Sequence, residues 1–391
     1  MVHIERIDDT ARFDALKDAW GALAAAGAHG NVFLTWEWLR PWWRHLAGSH
    51  RLAIFAVYAG DELVALLPLC RRRQGLGRLA PTLEFLGTGM AGSDYLDVLV
   101  KPGFEESAIQ ALGDVLAAEG AHLSLRGVAA GATHLGRLLE RLGERGWNVS
   151  GEASEICPFL PLTGDSFEAY LGSLGSKHRY SFRKKLRDLE KKHGLDWRAV
   201  ASESERGEAL EALYSFHDAR WSGEGGSDAF SGAAIRAFHH EVTRLAVDRG
   251  ALRLFVLRID GRPAAVLYGF RLGTKFAFYQ MGWSDGHAAL SLGLILAGLG
   301  IRSAIEEGAS EFDFLHGDEP YKFHWTQTTR ALSRLEAYPP SPLGTALRGT
   351  RLGLLTAKRT ARRILPGPWA EALAAKRRAG LWRSLRAAAH R

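Results

Sequence analysis

Cysteine is almost missing from this chain: Cys70 and Cys157 are the only two in 391 residues, far apart and outside any CxxC spacing. That argues against a disulfide scaffold and a cysteine zinc site, and it fits a reducing compartment. Long apolar runs are also missing. The longest uncharged apolar stretch, residues 288–301, is 14 residues long. A bilayer span needs ~20 residues, so this stretch is expected to be a buried helix. The opening MVHIERIDDTARF is charged and lacks the apolar core of an export signal, so no export is expected. There is no GxSxG nucleophile elbow and no HExxH, and the 15 histidines are scattered. His239 and His240 are adjacent and cannot share a helix face as paired ligands do. A metal enzyme is not expected, and the expected location is cytoplasmic, with peripheral contact at the inner membrane as an option.

What is present describes an ordinary globular protein, 47% hydrophobic and 24% charged, and long enough for about two domains. The net charge of +7 is uneven: residues 341–391 hold twelve Lys or Arg against Glu371, a balance of +11, which leaves seven minus eleven, −4, for residues 1–340. The high isoelectric point is therefore a property of the tail and does not mark the body as nucleic-acid binding. Leu343, Leu347, Leu354, Leu355, Ile364, Trp369, Leu381, Trp382 and Leu385 are interspersed with the tail's cations. Three readings stay open for it: short amphipathic helices on an anionic membrane, a solvated extension, or contact with tRNA.

Residues 1–50 read as helical. Trp36, Trp38, Trp42 and Trp43 crowd their end and are expected to anchor a helix to the core, with an aromatic platform for an acceptor as the alternative. Residues 51–72 read as a hairpin turning at Gly60-Asp61, and 83–86 and 95–100 as strands. Helices are expected at 105–119 and near 135–142, and strands at 122–125 and 147–162. Residues 87–92 spell GxGxxG, but a strand pattern follows where a dinucleotide site needs a helix, so the motif is read as a glycine loop. With Ser93, Asp94 and Tyr95 beside it, the loop is expected to be a plain turn, with the lining of an acceptor cleft as the alternative. The second part starts with a helix near Thr163. Residues 177–192 follow, with eight Lys or Arg against Asp188 and Glu190, +6 on an expected helix. Such a face suits a phosphate-bearing ligand or plain solvent. Helices at 205–220 and 234–249 flank the loop SGEGGSDAFSG, expected to be mobile.

From Arg253 an earlier pattern returns. AVYAGDELVALL, from residue 56, aligns with VLRIDGRPAAVL, from residue 256, and Glu119-Gly120-Ala121 before LSLRG aligns with Glu307-Gly308-Ala309 before DFLHG. Two matches in the same order indicate a duplicated α/β unit. The copies differ after the second strand. The first continues Val-Ala-Ala-Gly after Gly127, whereas the second continues Asp318-Glu319-Pro320-Tyr321-Lys322 after Gly317. Packing needs are shared by both copies, so the polar cluster at the end of the 311–315 strand, His316 included, marks the candidate site.

Several of these pieces together resemble the acetyltransferase-like domain of the bacterial CelD type, associated with cellulose biosynthesis. That is a branch of the GNAT superfamily related to the FemAB peptidyltransferases. The pieces are the basic 177–192 helix, Ala219-Arg220-Trp221, the 260–265 hairpin, residues 279–283, Ser291-Leu292-Gly293, and Phe312-Asp313-Phe314 leading to 317–322. The resemblance covers roughly residues 1–335. It implies tandem GNAT-like folds, α/β (α+β) with mixed, mostly antiparallel sheets flanked by helices. The parts would be a degenerate first domain at 1–162, an acetyltransferase-like domain at 163–340 and a basic tail at 341–391. It implies acyl transfer from acyl-CoA to an amine or hydroxyl of a small-molecule, glycan or peptide acceptor, in envelope or exopolysaccharide biosynthesis. The alternatives are a non-catalytic partner in polysaccharide synthesis and a FemAB-like transferase using aminoacyl-tRNA, the one reading in which nucleic acid is a partner.

A thioester is already activated, so transfer needs a base for the nucleophile, a donor for the oxyanion and a site for the carrier's phosphates. The pyrophosphate is placed at the helix start Ser291-Leu292-Gly293, and Lys322 is expected to bind an anion of the cofactor or to orient a carboxylate, with a plain pair to Glu319 as the alternative. Asp318 or Glu319 is the expected base, Asp313 the second choice, and Tyr321 the acid for the leaving thiolate.

Overall fold

The computed structural model describes residues 1–27, 30–72, 81–164, 166–221 and 230–364. The strands are β1 (Val2–Ile7), β2 (Arg51–Ala59), β3 (Glu62–Arg72), β4 (Thr82–Phe85), β5 (Leu99–Val100), β6 (His122–Ala129), β7 (Asn148–Pro161), β8 (Leu195–Ala199), β9 (Leu252–Ile259), β10 (Arg262–Leu272), β11 (Lys275–Trp283), β12 (Glu311–Asp313) and β13 (Thr329–Tyr338). The helices are α1 (Thr10–Ala15), α2 (Lys17–Ala26), α3 (Trp36–His45), α4 (Glu105–Glu119), α5 (Thr133–Glu144), α6 (Phe167–Ser173), α7 (Ser176–Lys192), α8 (Glu203–Trp221), α9 (Ala233–Asp248), α10 (Leu292–Glu306) and α11 (Pro342–Ile364).

The strands join one mixed sheet, ordered β1-β2-β3-β4-β6-β13-β7-β12-β11-β10-β9-β8, with β5 on β3. The repeat seen in the sequence is visible in its pairing. β2–β3 and β9–β10 are antiparallel hairpins. Each copy then pairs two strands in parallel across a helix, β4 with β6 and β11 with β12. The helices α4 and α10 are followed by Gly120 (φ 61°) and Gly308 (φ 72°), left-handed positions that let the chain leave the helix and enter the strand. At the centre the copies exchange strands. β13 lies between β6 and β7, and β7 pairs on its other side with β12. Strand β7 thus runs from the first copy's sheet into the second's, which brings loops of both to one place.

Two expectations need correction. Residues 2–7 form an edge strand on β2, not helix; Ile7 is buried in the core, Val2 and Ile4 pack against it, and the adjacent Glu5 and Arg6 break a strict alternation. Residues 95–100 do not form a continuous strand: only Leu99 and Val100 pair, and Tyr95 is left-handed at φ 58°. Side chains supply the hydrogen bonds that a strand partner would have made. Asn31 Nδ2 donates to the carbonyls of Asp94 (3.1 Å) and Tyr95 (2.9 Å), and Asp97 Oδ1 accepts from Val98 N (2.7 Å) and Leu135 N (2.9 Å). The glycine motif is followed by this loop and not by a helix. The 222–229 part of the SGEGGSDAFSG segment lies outside the described residues, as does the tail from 365 on. The apolar stretch 288–301 lies mostly in buried α10, and no helix of the described residues is long and apolar enough to cross a membrane.

The tryptophans of α3 are anchors. Their indole N–H groups donate within the protein: Trp36 to Phe13 O (3.1 Å), Trp38 to Ser93 Oγ (2.8 Å), Trp42 to Thr88 O (3.0 Å) and Trp43 to Thr10 Oγ1 (3.1 Å). Trp38 is fully buried and meets Phe33 of the first copy edge-on, with ring centroids 4.9 Å apart. From the second copy it meets Phe238 at 5.0 Å, Tyr279 at 5.4 Å and Phe270 at 5.7 Å. Trp38→Ala is expected to cost about 3–5 kcal/mol and, because its contacts lie in both copies, to lower one common urea transition. A second half that still melts at the wild-type midpoint would contradict this.

Candidate active site

Strand β12 is only three residues long because the chain turns immediately after it. Asp313 Oδ1 accepts from Leu315 N at 2.7 Å, and Leu315 takes a left-handed φ of 56°. That region is uncommon for a residue with a branched side chain and marks a constrained turn. The segment stays along β7 through Phe314 N to Pro158 O (2.9 Å) and Gly317 N to Ile156 O (3.0 Å). From the other side arrives the first copy's loop, held by Asn31, by Leu96 N on Gly127 O (2.8 Å) and by Ser93 Oγ on Gly87 O (2.6 Å).

Two pairs of side chains join these segments. Asp94, 2% exposed, accepts from His316 N at 2.9 Å and from His316 Nδ1 at 2.8 Å. With Nδ1 committed as the donor, Nε2 is the free imidazole nitrogen; it lies 3.9 Å from Glu155, and the ring is 39% exposed. Gly92 makes room for it, since a Cβ there would sit 3.1 Å from His316 Cε1. Burial alone would lower the His316 imidazolium. The Asp94 carboxylate, helped by Glu155, outweighs burial and the nearby Lys322, and the group is raised to about 8. In the second pair, Tyr95 Oη donates to Asp313 Oδ2 at 2.7 Å. Arg330 reaches the same oxygen at 3.2 Å, bonds Glu311 as well, and lies 3.5 Å above the Phe159 ring. Burial still pushes the Asp313 carboxyl up to about 6. Between the pairs, Cys157 Sγ is 3.9 Å from Asp94 Oδ2, and burial raises its thiol further.

The residues singled out from the sequence fall into two groups. Asp313, Glu319, Tyr321 and Lys322 gather at the turn, with Asp318 and Glu319 exposed on its rim. Lys322 is 3% exposed; its ammonium donates to the carbonyls of His316 (2.7 Å), Leu315 (3.3 Å) and Gly317 (3.4 Å) and pairs with Glu319 at 2.9 Å. Through these bonds it ties the turn together. Tyr321 is half-buried against Phe314, and burial with Glu319 pushes its phenol up, so that it keeps its proton at neutral pH. The second group is the start of α10. Ser291 is left-handed (φ 56°), and its hydroxyl takes a hydrogen bond from Lys185 of α7. Leu292 is buried and Gly293 packs on the Trp283 ring. Arg220 links the groups: its guanidinium stands 4.5 Å over Trp283 and its charge acts on the Tyr321 phenol.

Sequence reasoning did not pair Asp94 with His316. Both stood in stretches that attracted notice, the loop after the glycines and the end of the 311–315 strand, but no spacing rule connects residues so far apart.

Residues 176–323 match the family model of the acetyltransferase (GNAT) domain, a span that holds α7, the α10 start and the turn. No curated protein matches the chain. Among solved structures, FemX aligns with a TM-score of 0.58 at 13% identity, covering 85% of this chain and 96% of FemX. A conserved protein of unknown function from Bacteroides thetaiotaomicron aligns with a TM-score of 0.52 at 14% identity, covering 86% and 99% of the two chains. At such identities the likeness is one of fold. Residues 176–323 therefore carry a match to the acetyltransferase (GNAT) domain, and most of the chain shares the fold of FemX.

Proposed function

We propose that this GNAT-type transferase moves an acyl group from acyl-CoA to an amine or hydroxyl acceptor, with His316 as the base and Asp94 as its positioning partner. The observation that carries the reading is the buried carboxylate on Nδ1, which fixes the tautomer and aims Nε2 at the solvent side. As the acceptor nitrogen or oxygen bonds to the acyl carbon, its proton passes to Nε2. The carbon–sulfur bond then breaks, and the thiolate takes a proton from Tyr321, which regains one from solvent. The thioester carbonyl is placed against β11 beyond Ala277, where that strand no longer pairs with β12. Ser291, Leu292 and Gly293, with Lys185 beside them, would take the carrier's pyrophosphate. Asp313, held by Tyr95 and Arg330, keeps the turn in shape. Asp318 and Glu319 would meet the acceptor at the rim. An acceptor of the cell envelope or an exopolysaccharide, and a basic tail resting on an anionic membrane, complete the reading.

A second reading, with aminoacyl-tRNA as donor, is favoured by the cations of α7, which lie beside the α10 start through Lys185. Binding of tRNA that weakens steeply with salt, with no thermal shift from acetyl-CoA, longer acyl-CoAs or CoA, would select it. A shift with an acyl-CoA and none with tRNA supports the first. Neither response would leave the fold serving a non-catalytic role.

The base must be neutral to act, so transfer is expected to rise with pH through about 8. His316→Gln should lower kcat by about 10²–10⁴-fold and remove that limb. Asp94→Asn should lower kcat and move the limb to lower pH, because the carboxylate is what raises it. An unchanged pH profile in Asp94→Asn would sink the assignment.

The same pair affects stability. The imidazolium is favoured in the folded state, so its contribution is complete below the ordinary histidine value of 6.5 and disappears as pH rises through about 8. With the ring 39% exposed, solvent screening limits it to about 1 kcal/mol or less. Urea melts at pH 6 and 9 should differ less in His316→Gln than in the wild type; an equal difference would contradict it.

A further inference from the structure

The first copy carries a second side-chain cluster, away from the turn. Cys70 on β3 and Glu84 on β4 are register partners on adjacent antiparallel strands, so their side chains leave the same face of the sheet. His50, between α3 and β2, folds over that face. His50 Nε2 is 2.8 Å from Glu84 Oε1, and one nitrogen or oxygen of these two and Cys70 Sγ all lie within 4.8 Å of one another. The three are inward-facing: Cys70 is 0% exposed, the His50 side chain 18% and the Glu84 side chain 14%.

The surroundings are those of an oriented ligand set. His50 Nδ1 is bonded to the Ala47 carbonyl, which leaves Nε2 as the coordinating nitrogen, the usual outer-shell arrangement for a ligating histidine. Arg72 lies 3.7 Å from Glu84 on its other oxygen, Oε2, leaving Oε1 to act alone. Cys70 Sγ makes a long contact, 3.9 Å to Phe85 O. Zinc bonds of about 2.3 Å to sulfur and about 2.0–2.2 Å to nitrogen and oxygen put tetrahedral ligands roughly 3.3–3.7 Å apart. The cluster reaches this by drawing Sγ inward and parting Nε2 from Oε1, movements of about an ångström or less at side-chain ends.

We propose that His50 Nε2, Cys70 Sγ and Glu84 Oε1 bind a divalent transition metal of the zinc class, with water from the exposed side as fourth ligand. On binding, the thiol proton and the proton held between His50 Nε2 and Glu84 Oε1 both leave to solvent. The mixed sulfur, nitrogen and oxygen set suits zinc or cobalt and disfavours magnesium or calcium. The metal would cross-link the segment after α3 to the β3–β4 pair, and so stiffen the helix that carries Trp38.

The full-length protein, stripped with chelator and kept reduced, is titrated with cobalt(II). One equivalent should produce a thiolate-to-cobalt charge-transfer band in the near ultraviolet with tetrahedral visible bands, and zinc should erase both. Cys157→Ser should keep the band and Cys70→Ser lose it. His50→Gln, on a partly exposed residue, should bind cobalt at least about tenfold more weakly; this variant decides the matter if Cys70→Ser does not fold. No band at one equivalent, a band that depends on Cys157, or unchanged affinity in His50→Gln overturns the proposal.

Discussion

The antiparallel pairing of β7 with β13 is the constraint on which the rest depends. It runs from Asn148 opposite Tyr338 to Pro158 opposite Thr329. Because each strand also pairs with the parallel-paired strand of the other copy, the two halves share one ladder of backbone hydrogen bonds and do not merely touch. The far end of β7 lies along the 311–317 segment, and Cys157 on it sits beside Asp94. Without that crossing, Asp94 and His316 would belong to separate sheets.

A site assembled in this way buries charge, and burial of a carboxylate is unfavourable unless hydrogen bonds replace its water. Asp94 gains the backbone and side chain of His316. Asp313 gains Tyr95, Leu315 N and Arg330, while burial still pushes its carboxyl up. Lys322 does the converse work: its buried ammonium satisfies the carbonyls of a turn too tight to satisfy them itself.

The core is shared in the same manner. Trp38 stands between Phe33 and a group of aromatic residues from α9, β10 and β11, and its indole N–H holds Ser93, the residue before Asp94. Core packing and the geometry of the Asp94–His316 pair are therefore linked through the Trp38 side chain. In a close-packed interior, a shift at the tryptophan is transmitted to the carboxylate.

Local patterns were enough for much of this. The periodicity of 105–119, the turn at Gly60-Asp61, the apolar run in α10 and the repeat of hairpin, helix and strand are properties of neighbouring residues, and the folded chain keeps them. The turn after β12 was legible too, because the two copies differ there in sequence. Less was legible where hydrogen bonds came from distant side chains, as with Asn31 and Asp97 in the 94–98 loop, or where an edge strand was too short to show its period, as at Val2–Ile7. The pairing of Asp94 with His316, the burial of Lys322 and the gathering of His50, Cys70 and Glu84 were decided by tertiary structure alone. Each depends on which strands lie side by side, and sheet order is set by long-range pairing that leaves no spacing in the sequence.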